Sequence, residues 1–277
     1  MRTRSLMRSI AAAPHIFWSI LFIICPLLFV AYYAFTNPEG GWTIENILAL
    51  GEHTHTFVLS IALSVIATFI CFLIGYPLAY IIATAPQKHQ SIYMLLLMLP
   101  MWTNLLIRTY SMMAIMDDGG LINNMLSALN LGTVHIIGTK GAVVFGMVYD
   151  FLPYMVLPIY TVIAKIDPKL VEAARDLGCN PLQVLTRVTF PLSMSGVISG
   201  ITMVFVPSIS TFYISQKLGG GTFELIGDTI ERQFQNETTY HVGAAIALVM
   251  MVLILISLAV MNRFSDENVG DRKGVIL

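Results

Sequence analysis

Two charged residues lie inside long apolar stretches of the sequence, where an isolated charge is costly. Arg108 follows a run of aliphatic residues, and Asp150 lies between Tyr149 and Phe151. An acid beside aromatic rings suits an alkyl-ammonium group, through charge pairing and cation–π contact. The alternative for Asp150 is an acid at a helix end that faces water. Arg108 gains nothing directly from a cationic ligand, so we favour a structural or gating role for it, paired with a carboxylate or a backbone carbonyl.

Further polar and aromatic side chains in the same stretches are typical of a pathway for a polar solute. We expect such a path to be lined by Trp102, Asn104, Arg108, Tyr110, Tyr149, Asp150, Ser208, Ser210, Thr211 and Tyr213. For the hydroxyl-rich segment after Pro207, the alternative is hydrogen bonding between helices without contact to a solute. We assign no catalytic residue, because the sequence shows neither an HExxH motif nor a convincing triad. His53 and His55 allow a metal site, but solvated loop histidines are the favoured interpretation, and we assign no metal ligand.

Helices that cross a membrane must position these residues. Of the 277 residues, 56% are hydrophobic and only 11% are charged, whereas soluble domains carry about 25% charged residues. Six apolar stretches are long enough to cross about 30 Å of hydrocarbon as helices, and none alternates as a barrel strand would. The predicted fold is all-α and membrane-embedded, with spans near 16–35, 57–84, 92–116, 141–164, 192–216 and 241–262. This composition argues against a soluble two-domain enzyme, and the net charge of −1 gives no overall attraction to nucleic acid.

The charges between the spans predict the orientation. Six spans put both ends on one side, and positively charged loops remain in the cytoplasm. The loops and ends on one side hold eleven basic and six acidic residues, whereas those on the other side hold two basic and nine acidic residues. The first group includes Arg2, Arg4 and Arg8, and we interpret the span after them as an uncleaved first helix. The sequence thus predicts a multi-pass protein of the plasma or inner membrane with both termini in the cytoplasm.

The longest loop on the basic side, at about residues 165–190, predicts two short helices. Asp167 can cap the first helix, with Pro168 at its first position. Gly178 stands where a left-handed residue would end that helix, and Asn180 with Pro181 repeats the capping pattern for a second helix through Arg187. Leu170, Ala174 and Leu177 share one helical face. Because Ala173 and Ala174 carry only methyl groups, this face is small and lets a partner approach closely.

This loop resembles a known pattern. Glu172-Ala173-Ala174, followed by Gly178 and by Val188-x-Phe190-Pro191, is similar to the EAA loop of ATP-binding-cassette importer permeases, whose pattern ends in Ile-x-Leu-Pro. The resemblance covers about residues 54–262 and implies a type I importer permease (MetI-like) fold with six transmembrane helices and a cytoplasmic EAA coupling loop. In that family the loop docks in a groove on the ATPase. The resemblance assigns this coupling role to Glu172, Ala173, Ala174, Asp176, Gly178 and Pro191.

The resemblance also implies partners. A second permease subunit, two ATPase subunits and an extracytoplasmic substrate-binding protein would complete an importer surrounded by membrane lipid. The sequence contains no Walker A motif, since Gly219-Gly220-Gly221 is followed by Thr222 and Phe223 without a lysine. We therefore expect no cofactor in this chain, with ATP and Mg on the partner ATPase. The chain would be a transport subunit and not an enzyme.

Local sequences point further to one branch of that family. Stretches similar to spermidine/putrescine permeases include Leu99-Pro100-Met101-Trp102-Thr103-Asn104, Gly75-Tyr76-Pro77-Leu78-Ala79 and Val156-Leu157-Pro158-Ile159-Tyr160. The resemblance implies a membrane path for polyamines delivered by the binding protein. A permease for another small solute is the alternative within the class, and an ATP-independent secondary transporter is the alternative outside it. We divide the chain into an N-terminal segment with the first helix and an outer loop at 1–53, a permease domain at 54–262 and a cytoplasmic tail at 263–277.

One amphipathic pattern follows the fifth span. Apolar residues recur at helical spacing, and acids occupy the intervening positions. The pattern predicts a helix lying on the outer face of the membrane, where it would gate the path or dock a binding protein. Its apolar residues are Phe223, Ile226, Ile230 and Phe234, and its acids are Glu224, Asp228 and Glu231.

Overall fold

A computed structural model describes residues 14–236 and 238–273 of the chain, and the described part is helical. Within these residues, four helices are long and apolar enough to cross a membrane, and two bent helix pairs raise the number to six if each pair is one span. Arg2, Arg4, Arg8 and Glu237, which contribute to the predicted orientation, lie outside the described residues, as do residues 274–277 of the predicted tail.

The helices follow the predicted spans closely, with breaks inside the third and fifth spans. We number them α1 Pro14–Ala34, α2 Glu45–Leu48, α3 Thr54–Thr84, α4 Gln87–Trp102, α5 Leu105–Met116, α6 Leu121–Ala128, α7 Lys140–Ile163, α8 Pro168–Asp176, α9 Pro181–Val184, α10 Phe190–Leu192, α11 Met194–Ser210, α12 Tyr213–Leu218, α13 Ile226–Gln235 and α14 Tyr240–Lys273. The helix α14 continues well past residue 262, where the sixth span was predicted to end.

The third and fifth predicted spans are each divided into separate helices. The third is divided into α4 and α5, and the helices on either side of the break are bent by 90°. The fifth is divided into α11 and α12, because Thr211 is extended, with ψ 139°.

One compact unit comprises Thr56–Asp228 with Ile254–Leu277, of which residues 56–228 and 254–273 are described. It has two buried clusters along α7. One cluster gathers apolar side chains from α3, α5, α7 and α12, among them Leu63, Met112 and Met147. The other joins α3, α4, α7 and α11 around Met155, Val156 and Ile159. The helix α7 therefore lies at the centre of this unit.

The contact between α7 and α11 depends on two glycines. Gly196 and Gly200, four residues apart, form a small-residue face on α11. A Cβ atom at Gly196 would lie 2.8 Å from the carbonyl oxygen of Pro158, and one at Gly200 would lie 2.8 Å from the sulfur of Met155. The two backbones thus approach too closely for any larger residue.

The other unit comprises Met1–His55 with Thr229–Leu253, of which residues 14–55, 229–236 and 238–253 are described. Its small core is formed by Ala34, Ala244 and Ala245. Around this core, His241 Nδ1 lies 3.1 Å from the carbonyl oxygen of Tyr33. The ring of Tyr33 meets that of Tyr240 edge to face, with centroids 5.0 Å apart.

Two π-helical turns precede prolines. One occupies Ile20–Ile24, just before Pro26, and the other occupies Leu185–Thr189, just before Pro191. Proline has no amide hydrogen, and its ring clashes with the carbonyl four residues earlier. A wider turn moves that carbonyl away, so the helical path continues through the proline.

Candidate functional site

The candidate path residues of the third span lie on both sides of the corner between α4 and α5. Thr103 leaves the helical conformation, with ψ 153°, and ends α4. Asn104 then caps α5, because its side-chain oxygen accepts a hydrogen bond from the amide of Leu106 at 2.8 Å. Trp102, at the end of α4, is exposed over 70% of its surface. An exposed tryptophan side chain therefore lies at this corner, next to the asparagine that caps α5.

Arg108 of α5 and Asp150 of α7 form a buried ion pair. Arg108 Nε lies 2.6 Å from Asp150 Oδ1, and the two side chains are 11% and 1% exposed. Arg108 Nη1 also donates to the carbonyl oxygen of Pro100 at 2.7 Å. One guanidinium thus ties α7 to the last turn of α4 across the corner.

This pair bears on the alternatives for both residues, and contact between Asp150 and a solute stays a prediction. Arg108 meets a carboxylate and a backbone carbonyl, as its structural interpretation predicts. A water-facing Asp150 is wrong, because that residue is only 2% exposed. Its Oδ2 atom has no hydrogen-bond partner in the part of the chain that the structure describes, so this buried carboxylate relies on the guanidinium for charge compensation.

Two cations stand against tyrosine rings in the same region. The guanidinium carbon of Arg108 is 5.9 Å from the ring centroid of Tyr149. Lys217 Nζ is 5.2 Å from the ring centroid of Tyr110 and 5.8 Å from that of Tyr213. These two rings meet nearly perpendicular, at 79°, with centroids 6.3 Å apart. The helix α12 packs against both α5 and α7, and this packing brings the aromatic residues together.

Lys217 was not among the predicted path residues, and it counted only as one of two cations in the acidic outer segments. The local signal was the spacing of Tyr213 and Lys217, four residues apart in α12, which places them on one helical face. The approach of Tyr110 is a tertiary contact that no local pattern indicates.

The hydroxyl-rich residues of the fifth span differ in accessibility. Ser208 is fully buried, and its hydroxyl donates to the carbonyl of Val204 at 2.7 Å. Ser210 is exposed and donates to the carbonyl of Val206 at 3.1 Å. Thr211 and Tyr213 are half-buried at the break between α11 and α12. Ser208 therefore lines no surface in this conformation, whereas the residues from Ser210 onward do.

The second candidate site is the interspan loop, residues 164–193, whose predicted helices and caps are present. Asp167 Oδ1 accepts from the amide of Lys169 at 3.0 Å at the start of α8. Gly178 has φ +85°. Its amide donates to the carbonyl oxygen of Arg175, and the amide of Cys179 donates to the carbonyl oxygen of Ala174. This is the Schellman arrangement of a helix end. Asn180 and Gln183 then form a reciprocal capping box.

The exposed face of the interspan loop differs from the predicted one. Ala174 is buried, because α8 packs against α9 and the π turn after it, so it does not offer a contact surface. Ala173, Glu172 and Asp176 are exposed. The largest open apolar groups are three leucines that the small-residue interpretation did not emphasise. These are Leu177, Leu182 and Leu170, with 86%, 67% and 49% of their surfaces exposed.

The predicted amphipathic helix is α13, but one of its acids faces inward. Asp228 is 6% exposed and accepts hydrogen bonds from the Ser215 hydroxyl and the Leu225 amide, each at 2.8 Å. The placement of Asp228 on the polar face is therefore wrong, because the carboxylate caps the start of the helix instead. Phe223, counted in the apolar face, precedes the helix.

Comparison with known proteins identifies relatives over almost the whole chain. The family described as "binding-protein-dependent transport system inner membrane component" matches residues 4–270. The spermidine/putrescine transport system permease protein PotB of Haemophilus influenzae is 37% identical over 256 residues, which cover 89% of this chain and 90% of that protein. PotB of Escherichia coli K12 is 34% identical over 258 residues, which cover 90% and 94%.

Solved structures agree on the fold. A crystal structure of a bacterial ABC transporter that imports the acidic polysaccharide alginate contains a chain with TM-score 0.76 and 18% identity, covering 96% of each chain. A chain of an inward-facing methionine ABC transporter gives TM-score 0.58 and 16% identity, covering 77% of this chain and 94% of that one. At these identities the likeness concerns the fold of the chain alone.

Proposed function

Because this chain belongs to the family of inner-membrane components of binding-protein-dependent transport systems, we propose that it is a permease subunit of an ATP-binding-cassette importer for polyamines. The observation that carries the proposal is the 33–37% identity to spermidine/putrescine permeases over most of both chains. The chain moves solute, and a separate ATPase subunit holds ATP and Mg and performs hydrolysis. A second permease and an extracytoplasmic binding protein complete the importer.

Aromatic surfaces near the corner suit a polyamine. Trp102, Tyr110 and Tyr149 are exposed over 70%, 47% and 40% of their surfaces. Aromatic faces attract ammonium groups by about 0.5–1 kcal/mol each at exposed sites. Several such contacts in series hold a cation loosely, and weak holding suits a path that must release its cargo. We place the path along these rings with Asn104, Ser210, Thr211 and Tyr213.

The interspan loop is the proposed coupling element. The positive-inside distribution of charge supports a cytoplasmic position for it and for both termini. Its open leucines give an ATPase an apolar surface to cover, beside the exposed Glu172, Ala173 and Asp176. Gly178 shapes the turn, and Pro191 begins the return to the membrane. When the ATPases close, the loop moves and the bundle changes between outward and inward openings.

The test of the substrate is uptake by the complete importer in proteoliposomes. Radiolabelled spermidine and putrescine should enter with ATP and binding protein, and unlabelled amino acids, sugars and oxyanions should not compete. Preference for one of those competitors would overturn the polyamine assignment while leaving the importer assignment intact. Uptake without ATP would overturn the importer assignment.

The test of the loop compares two matched leucines. Leu177→Asp puts a charge on the proposed docking surface, whereas Leu131→Asp makes the same change at a residue that is 68% exposed elsewhere. We expect the first variant to lose ATPase subunits during co-purification and the second to keep them. Equal retention of the ATPase by both variants would remove Leu177 from the docking surface.

A further inference from the structure

The tyrosine pair of α5 and α12 already holds a cation that belongs to the chain itself. Lys217 Nζ is within 6 Å of both ring centroids, at 5.2 Å from Tyr110 and 5.8 Å from Tyr213. This geometry is that of an ammonium group bound to aromatic faces. Among residues 14–236 and 238–273, Lys217 forms no ion pair with a carboxylate. The two rings, together with the Tyr110 hydroxyl, to which Lys217 donates a hydrogen bond, thus hold the ammonium group.

The site is accessible and adjustable. Tyr110 is 47% exposed, and Tyr213 and Lys217 are half-buried, so a ligand can reach the rings without unfolding the helices. Lysine has a long, flexible stem, and its ammonium group can turn toward water while its backbone stays in place. The helix end itself is fixed, because the amide of Gly138 donates to the carbonyl of Leu218 at 2.8 Å.

We propose that Lys217 is a resident cation that occupies a binding site for a substrate ammonium group, and that an incoming polyamine displaces it. This inference rests on the proposed function. The chemistry of the occupant and of the substrate is the same, a primary ammonium on an alkyl chain. The rings therefore bind one or the other, and Lys217 acts as a tethered competitor.

Such a competitor has two consequences. It weakens substrate binding, because each polyamine must replace a contact that already exists. It also promotes release, because the tethered ammonium is present at a high effective concentration and returns to the rings. A simple cap on the last turn of α12 would have neither effect, since it involves only the helix dipole.

The experiment measures equilibrium binding of radiolabelled spermidine to the detergent-solubilised complex without the binding protein, together with ATP-driven uptake by the complete importer. The loss or gain of one exposed cation–aromatic contact changes binding affinity by about two- to five-fold. We expect Lys217→Met to bind spermidine about two- to five-fold more tightly and to transport it at a lower maximal rate. Lys217→Arg keeps a cation on the rings and should behave like the parent.

The double variant Tyr110→Leu/Lys217→Met provides the control for mechanism. Without the ring of Tyr110, removal of the lysine should no longer tighten binding. The displacement mechanism would be overturned if Lys217→Met bound spermidine no more tightly than the parent, or if the double variant tightened binding as much as Lys217→Met. In that case, polyamine uptake by the parent would still support the proposed function. If the parent complex imported no polyamine, the proposed function and this inference would fail together.

Discussion

Removing either charge of the Arg108–Asp150 pair should destabilise the chain far more than removing both. At the 2.6 Å separation of Nε and Oδ1, the Coulomb attraction is about 6 kcal/mol for an effective dielectric constant near 20. Desolvation of the two ions offsets much of this, by several kcal/mol per ion. What a single variant loses is the compensation of the charge that remains buried, and this costs about 3–5 kcal/mol.

We expect Asp150→Asn and Arg108→Gln each to lower the thermal stability of the solubilised complex by several degrees and to reduce polyamine uptake several-fold. The double variant should recover most of both, because it leaves no uncompensated charge. Arg108→Lys should be intermediate, since one ammonium cannot bind Asp150 and the Pro100 carbonyl with the geometry of the guanidinium.

The assays are thermal unfolding monitored by size-exclusion chromatography and uptake in proteoliposomes. Their combination separates a structural tie from direct substrate contact. If the double variant regains stability but not uptake, Asp150 acts on the substrate and the structural interpretation is refuted. If the two single losses simply add, the residues are not coupled and the pair contributes nothing as a pair.

Three further predictions concern topology, the loop and helix packing. Single cysteines are introduced by substitution in a background that lacks the three native cysteines. Those replacing Glu45 and Asp118 should react with an impermeant thiol reagent in intact cells, and those replacing Lys88 and Lys169 should not. Labelling of a cysteine at position 169 would contradict the predicted orientation. Gly178→Val should abolish ATPase association and uptake, because the backbone angle φ of +85° strains a β-branched residue. Gly178→Asn should retain most of both, since asparagine tolerates this conformation. Equal activity of the two variants would contradict this reasoning. Gly200→Leu should destabilise the complex by about 1–3 kcal/mol, because the new side chain would clash with Met155. Ser199→Leu, on the exposed side of α11, is the control and should leave the stability in the same thermal assay nearly unchanged.

Local signals predicted the interspan loop correctly, including its caps. Asp167, Gly178 and Asn180 act on amides within three residues of themselves, or through their own backbone conformation, so their types and positions were sufficient. The contacts of this loop were less predictable. Ala174 has the composition of an exposed small face, but its burial depends on how α8 packs against α9.

The path region shows where sequence information ends. Arg108 and Asp150 were each identifiable as costly charges in apolar surroundings, yet their pairing joins α5 to α7 and has no local signature. The corner at Thr103–Asn104 was equally hidden. Hydropathy averages over a window, whereas two residues with extended backbone suffice to turn the chain through 90°.

The glycine contact between α7 and α11 has a mechanical consequence for the loop that joins them. The loop leaves the end of α7 and returns at the start of α11, and these two helices are in backbone contact at Gly196 and Gly200. A force applied to the loop therefore acts at two attachment points, on helices that are closely packed against each other. It produces a torque that tilts both helices together, and it cannot separate them without first breaking the glycine contact. Under the proposed coupling role, a movement of the loop would therefore be transmitted to α7 and α11 together.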